Sequence, residues 1–201
     1  MKKNLFLMLL GLGTILMLTT SCAKLPQEDV DAANASVEAA KAVEAHRYLP
    51  ADFNALQDTL NKAMTEIEAQ KSKFSLFRSY KVAKALLAEV DTMAATLKEN
   101  AIVRKEEVKN EVQAALTETN TLIETVKALI KKAPRGKEGK AALEAIQTDL
   151  AGVEAALTEV TTLVNNGDYL TAQEKVNAAK AKLESLKSEL DEAIAKKKGR
   201  K

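Results

Sequence analysis

Cys22 is the only cysteine and His46 the only histidine among 201 residues, so side-chain chemistry starts from very few groups. A lone thiol cannot close an internal disulfide, and a lone imidazole cannot seed a histidine-based metal site. His46 stands beside Arg47 near the expected end of a helix. No acid or nucleophile at a useful spacing would make it a catalytic base, and it reads as a surface residue. The chain shows no Gly-rich phosphate loop, no metal-ligand spacing and no nucleophile motif. The expectation is a protein that is not an enzyme and takes no cofactor. Lys plus Arg (30) nearly balances Asp plus Glu (28), and no basic groove carries interleaved aromatics, so nucleic acid is excluded as a partner. What remains is modification at Cys22 and the basic C-terminus with Lys197, Lys198, Arg200 and Lys201.

The surroundings of Cys22 are specific. Lys2 and Lys3 precede an apolar run, Leu5–Leu18, which at about 14 residues falls short of the ~20 needed to span a bilayer. A basic start, a short apolar middle and then small residues describe a secretory signal over residues 1–21. At its end, Leu18-Thr19-Thr20-Ser21-Cys22 resembles the lipobox of bacterial lipoproteins, with Thr19 where that family usually has Leu and Leu18 beside it. The resemblance implies cleavage by signal peptidase II before Cys22 and acylation of that residue, palmitate included. More than one acyl chain would supply the two hydrophobic signals that stable anchoring needs. Ala23 stands where the family's inner-membrane retention signal would place Asp. That implies the periplasmic face of the outer membrane, or the inner membrane or a Gram-positive surface where sorting differs. The alternative is an ordinary signal that leaves Cys22 a free thiol.

The elements that follow are few and long. Only three prolines and seven glycines occur, aromatics make up 3%, and Ala, Leu, Glu and Lys dominate, as in long helices and coiled coils. A tether over 22–27 leads into a helix from about Asp29 to Arg47, with Val30, Ala33, Val37 and Ala40 on its seam. Tyr48-Leu49-Pro50 is a turn, with Pro50 opening the next helix. That helix runs to about Lys71 through Phe53, Leu56, Leu60, Ala63 and Ile67. Ser79–Ala133 then lacks both Pro and Gly and reads as one helix of roughly 80 Å. Its seam is Ala83, Leu86, Val90, Met93 and Leu97, then Val112, Ala115, Thr119, Leu122, Val126 and Leu129. Near Arg104 the spacing slips to 4-4, a stutter. After Pro134-Arg135-Gly136 comes a helix through Leu143, Ile146, Leu150, Val153, Leu157, Val160 and Val164. Gly167 and Asp168 are its C-cap and the next N-cap. The last helix carries Ala172, Val176, Ala179, Leu183, Leu186, Leu190 and Ala193.

Short turns make neighbouring helices antiparallel. The expected fold is all-α: an elongated antiparallel helical bundle or coiled coil, with two three-helix units (28–106 and 107–196) sharing one continuous helix. Such sharing is spectrin-like, and a basic tail over 197–201 follows. Tyr80-Lys81-Val82-Ala83 and Tyr169-Leu170-Thr171-Ala172 open equivalent helices, which points to a duplicated unit. Residues 29–97 also resemble an uncharacterised helical domain of Gram-negative envelope lipoproteins. The carriers of that likeness are Tyr48-Leu49-Pro50 and the element from Tyr80 to Leu87, and it implies no activity.

Two further places are candidate sites. Phe74, Leu76 and Phe77, flanked by Lys71, Lys73 and Arg78, lie in a connection expected beside the anchored end. The preferred reading has these side chains plugging the end of an aromatic-poor bundle; the alternative is a foot in the lipid headgroups. At the other end, Arg200 and Lys201 resemble the C-terminus of the helical lipoproteins that are joined to peptidoglycan through a terminal lysine. The plainer reading of that tail is a solvated helix end complementing the dipole. The partners expected are thus a membrane, through the anchor, and either peptidoglycan or another envelope protein. The preferred function is a non-catalytic spacer or adaptor of the cell envelope. The alternative is a periplasmic carrier or chaperone with an apolar or peptide ligand between its helices.

Overall fold

The computed structural model describes residues 24–198, and every element among them is helical. In chain order these are α1 (Gln27–Ala42), α2 (Ala45–Tyr48), α3 (Pro50–Lys71), a 3₁₀ turn (Ser75–Phe77), α4 (Lys81–Lys132), α5 (Lys137–Asn165) and α6 (Tyr169–Lys198). The all-α bundle expected from the heptads is therefore present. α4 is a single helix of 52 residues, unbroken through the charged stretch near Arg104.

Two compact units divide the chain. Among the described residues, the first holds 24–46 together with Pro50–Lys98, and the second holds Arg47–Leu49 and 99–198. The sequence places that division at 106/107, in the charged zone. In that zone Ala101, Val108 and Val112 are fully buried, with the half-buried Arg104 and Lys105 between them.

Within the first unit, α1 and the opening turns of α4 run side by side in the same direction. Lys84 Nζ lies 3.2 Å from Asp29 Oδ2, and the Ser36 hydroxyl donates to Asp91 Oδ1 at 2.7 Å. α3 runs in the opposite direction, burying Phe53, Leu56, Ala63 and Ile67. Alanines (Ala33, Ala40, Ala63, Ala83) are fully buried in this core, so helix axes can approach at the low end of the usual 8–10 Å. The seam of α4 here runs through Tyr80, Ala83, Leu87, Val90, Ala94 and Leu97, in 3-4 steps. Leu86 and Met93, expected on it, are only half-buried. They border a stripe that has to face two helices and is wider than a two-stranded seam.

α1 also stops short of the expected Arg47. Its last residue is Ala42, and Glu44 adopts φ 62°, a left-handed conformation that costs an L-residue roughly 1–2 kcal/mol. The redirected chain brings Ala45 and Tyr48 into buried positions, and that burial offsets the strain.

The second unit repeats the arrangement. Glu111 accepts from Gln173 and Glu118 from Lys180, so α4 and α6 run parallel. Lys175–Glu159 and Lys182–Asp149 ion pairs show α5 antiparallel to α6. Tyr48, Val112, Ile123, Val126, Ile146, Leu150, Val160, Val176, Leu183 and Leu190 share its core. Thr119, also fully buried, returns its hydroxyl to Ala115 O at 2.6 Å, which removes the cost of an unmet donor. No helix among the described residues is long and apolar enough to cross a membrane.

Candidate functional site

The connection from α3 to α4 is built by two side chains. Gln70, buried on the last turn of α3, donates from Nε2 to Glu66 Oε1 at 2.7 Å and accepts the Ser79 backbone N–H on Oε1 at 3.0 Å. Arg78 reaches back across the loop, donating from Nε to Lys73 O (2.9 Å) and from Nη2 to Lys71 O (2.8 Å). The Lys71 carbonyl is one the end of α3 leaves without an intrahelical partner, and Lys73 lies in the loop itself. The Phe77 N–H meets Phe74 O at 2.9 Å to close the 3₁₀ turn, and Tyr80, 5% exposed, seals the floor.

On this frame the apolar side chains point outward. Phe74 is 67% exposed, Leu76 65% and Phe77 76%, with the two rings 6.3 Å apart. The expectation that they plug the bundle end is therefore corrected. Tyr80 and Gln70 are the residues buried at that end. Neither Gln70 nor Tyr80 was singled out for this role from sequence. The available signal was a polar residue three positions after Ile67, in register with the apolar stripe.

The same end of the unit carries the start of the described chain. Lys24, Leu25, Pro26 and Glu28 border a surface hollow with Lys84. Pro26 is buried and Leu25 is 39% exposed. The 72–80 connection leads directly into Lys84's turn, so Leu25 and the Phe74–Phe77 loop belong to one end of the first unit. Lys71, Lys73 and Lys24 are exposed around it, and Lys71 pairs with Glu68 at 2.7 Å.

Comparison with protein-family models, curated proteins and solved structures returns no match.

Cys22 lies outside the described residues, as do Arg200 and Lys201. Lys197 is exposed on the last turn of α6, and Lys198 is the final described residue. His46 is exposed and packs edge-on against the Phe53 ring at 5.8 Å. Among the described residues no group of three or more His, Cys, Asp or Glu is placed to hold a metal. The charged zone of α4 is a surface lattice: Arg104 Nη1 contacts Glu111 Oε1 at 2.9 Å and Glu107 Oε2 at 3.0 Å. Those two carboxylates raise the guanidinium pKa, and Arg104 in turn lowers that of Glu111. Exposed pairs of this kind contribute little to stability.

Between α4 and α5 runs an open groove of about 580 Å³, with Leu116, Ile123 and Leu157 on its floor and Thr158 and Thr161 on its walls. Lys127 stands at its mouth, 2.9 Å from Glu154 and 3.2 Å from Glu124. The two carboxylates raise the lysine's pKa, Glu154 most. A carrier would need a continuous apolar cavity between helices; this groove is open to solvent and polar along its walls.

Proposed function

We propose that the chain is a non-catalytic helical lipoprotein of the bacterial cell envelope, anchored through acylated Cys22 and acting as a spacer or adaptor. Its place is the periplasmic face of the outer membrane, with the C-terminal lysines available to an envelope protein or to anionic wall polymer. The observation that carries this reading is α4, one uninterrupted helix contributing its seam to both units. α4 runs for 52 residues with neither Pro nor Gly in it, the residues at which helices kink. The close-packed heptads support it further, since Leu56, Leu87, Leu183, Leu186, Val112 and Val176 are all less than 2% exposed. The lipobox-like sequence before Cys22 supplies the anchor.

The test has two arms. Mass spectrometry of the protein purified from membranes should find acyl chains on Cys22, absent in Cys22→Ala. Photo-crosslinkers at Lys197 in living cells should capture an envelope protein or wall fragments. An unmodified Cys22 would remove the anchor, and a Lys197 probe that captures nothing would remove the spacer. Lipid or peptide co-purifying in stoichiometric amount would favour the carrier instead.

A further inference from the structure

We propose that the α3–α4 connection is a preformed foot that seats Phe74, Leu76 and Phe77 in the headgroup region of an anionic bilayer. The proposal rests on the membrane-anchored reading for its setting and adds the surface that meets the lipid.

Three observations carry it. The first is exposure under rigid support. Phe74, Leu76 and Phe77 are all more than 60% exposed, although their backbone is held by Arg78, Gln70 and the 3₁₀ hydrogen bond. Exposed aromatics on a floppy loop would need no occupant. Aromatics held outward by two buttressing side chains have already lost the backbone entropy that docking would otherwise cost.

The second is composition. Lys71 and Lys73 lie exposed beside the apolar tip, Arg78 is half-buried under it, and Lys24 and Leu25 share the same end of the unit. Lys71 pairs with Glu68 and Lys84 with Asp29, while exposed Lys73 and Lys24 remain beside the apolar tip. Apolar and aromatic side chains with such lysines match an interface in which acyl chains lie below negatively charged headgroups. The third is position. α1 begins at Gln27 at this end, and only Ala23–Pro26 separate it from Cys22. A few residues of extended chain span at most ~3.3–3.6 Å each, so an acyl anchor on Cys22 would hold the loop within reach of the headgroups.

The corresponding connection in the second unit, Asn165–Asp168, is polar and places no aromatic outward. The exposed apolar tip is therefore not a requirement of joining two such helices.

The experiment uses the chain from residue 22 onward, which carries all the described helices, exported behind an ordinary secretory signal with Cys22→Ser. An environment-sensitive fluorophore is attached at Leu76→Cys, or at Glu38→Cys as a control on an exposed face of α1. Each labelled protein is mixed with vesicles of phosphatidylethanolamine and phosphatidylglycerol. The position-76 probe should shift its emission to the blue and be quenched by headgroup-proximal nitroxide lipids, while the position-38 probe does neither. Phe74→Ser with Phe77→Ser should weaken partitioning by roughly tenfold or more, with an unchanged far-ultraviolet circular dichroism spectrum. Vesicles without phosphatidylglycerol should bind less.

A position-76 probe that stays in water with vesicles present would overturn the foot. So would a blue shift that arises without vesicles, which would mark self-association. Because Cys22 is absent here, these outcomes are independent of whether the native residue is acylated.

Discussion

The turn at Asn165–Asp168 and the loop at Ser72–Ser79 occupy the same topological place, each joining the second helix of a unit to the third. In the second unit the helix closes on itself. Gly167 takes φ 79°, its N–H meets Val164 O, and the Asp168 N–H meets Leu163 O, the paired bonds of a Schellman motif. Asp168 then caps α6 through Thr171 and holds Arg47 at 2.6 Å. In the first unit α3 stops at Lys71, no glycine is present, and Arg78 near the end of the loop reaches back to the Lys71 and Lys73 carbonyls. The last buried position beneath the turn is Val160 in one case and Gln70 in the other. The lesson is that the polar turn closes a helix with backbone alone. The apolar loop needs a polar core residue and an arginine to hold its greasy tip away from the core.

The cores differ in the same spirit. Ala94 and Leu183 occupy matching steps after Tyr80 and Tyr169, both 2% exposed or less. Leu183→Ala should cost ~2–5 kcal/mol in urea denaturation, from lost burial plus the cavity. The reciprocal Ala94→Leu should cost ~1–3 kcal/mol by overpacking. If Ala94→Leu stabilises, the first unit has spare volume and the close-approach account of its alanines is wrong.

Next in size is Gln70→Ala. Removing the amide leaves the Ser79 N–H without its acceptor and should cost ~1–3 kcal/mol, with faster hydrogen exchange over residues 72–80. Unaltered exchange there would mean the loop is held by something else. Arg78→Ala and Gly167→Ala test the two closing mechanisms directly, at about 1 kcal/mol each. The first should loosen only the apolar loop, and the second should strain only the polar turn.

The smallest effect is electrostatic. The Arg47 guanidinium, with help from Thr171, holds the Asp168 carboxyl below its usual range. A depressed folded-state pKa contributes stability that is full above the unfolded value of about 3.9 and is lost as pH falls through the folded value. Asp168→Asn should therefore be less stable than wild type at pH 7, by less than ~1 kcal/mol because the pair is partly solvated. The two should converge in strong acid. A constant gap across that range would assign the loss to capping alone.

Much of this was legible in the chain. The α5 and α6 seams, Pro50 as a helix start, and Gly167 and Asp168 as caps all follow from local rules, since 3-4 spacing and positive φ are properties of a few residues at a time. On the α4 seam, Leu86 with Met93 and Leu87 with Ala94 satisfy the same 3-4 spacing equally well. Only the positions of α1 and α3 decide between them. α1 ends before the expected Arg47 at a residue, Glu44, that carries no left-handed signature; burial of Ala45 and Tyr48 imposes the bend.

By itself, then, the sequence determined the helical class, the pairing of short connections with antiparallel neighbours, and the apolar run leading to Cys22. Periodicity and composition act locally and survive without a partner. Tertiary structure alone decided that Phe74, Leu76 and Phe77 face solvent and that Gln70 lies inside. An apolar residue in a loop can turn either way, and the outcome depends on whether the space beneath it is already filled. Here Tyr80 and Gln70 are the residues buried there.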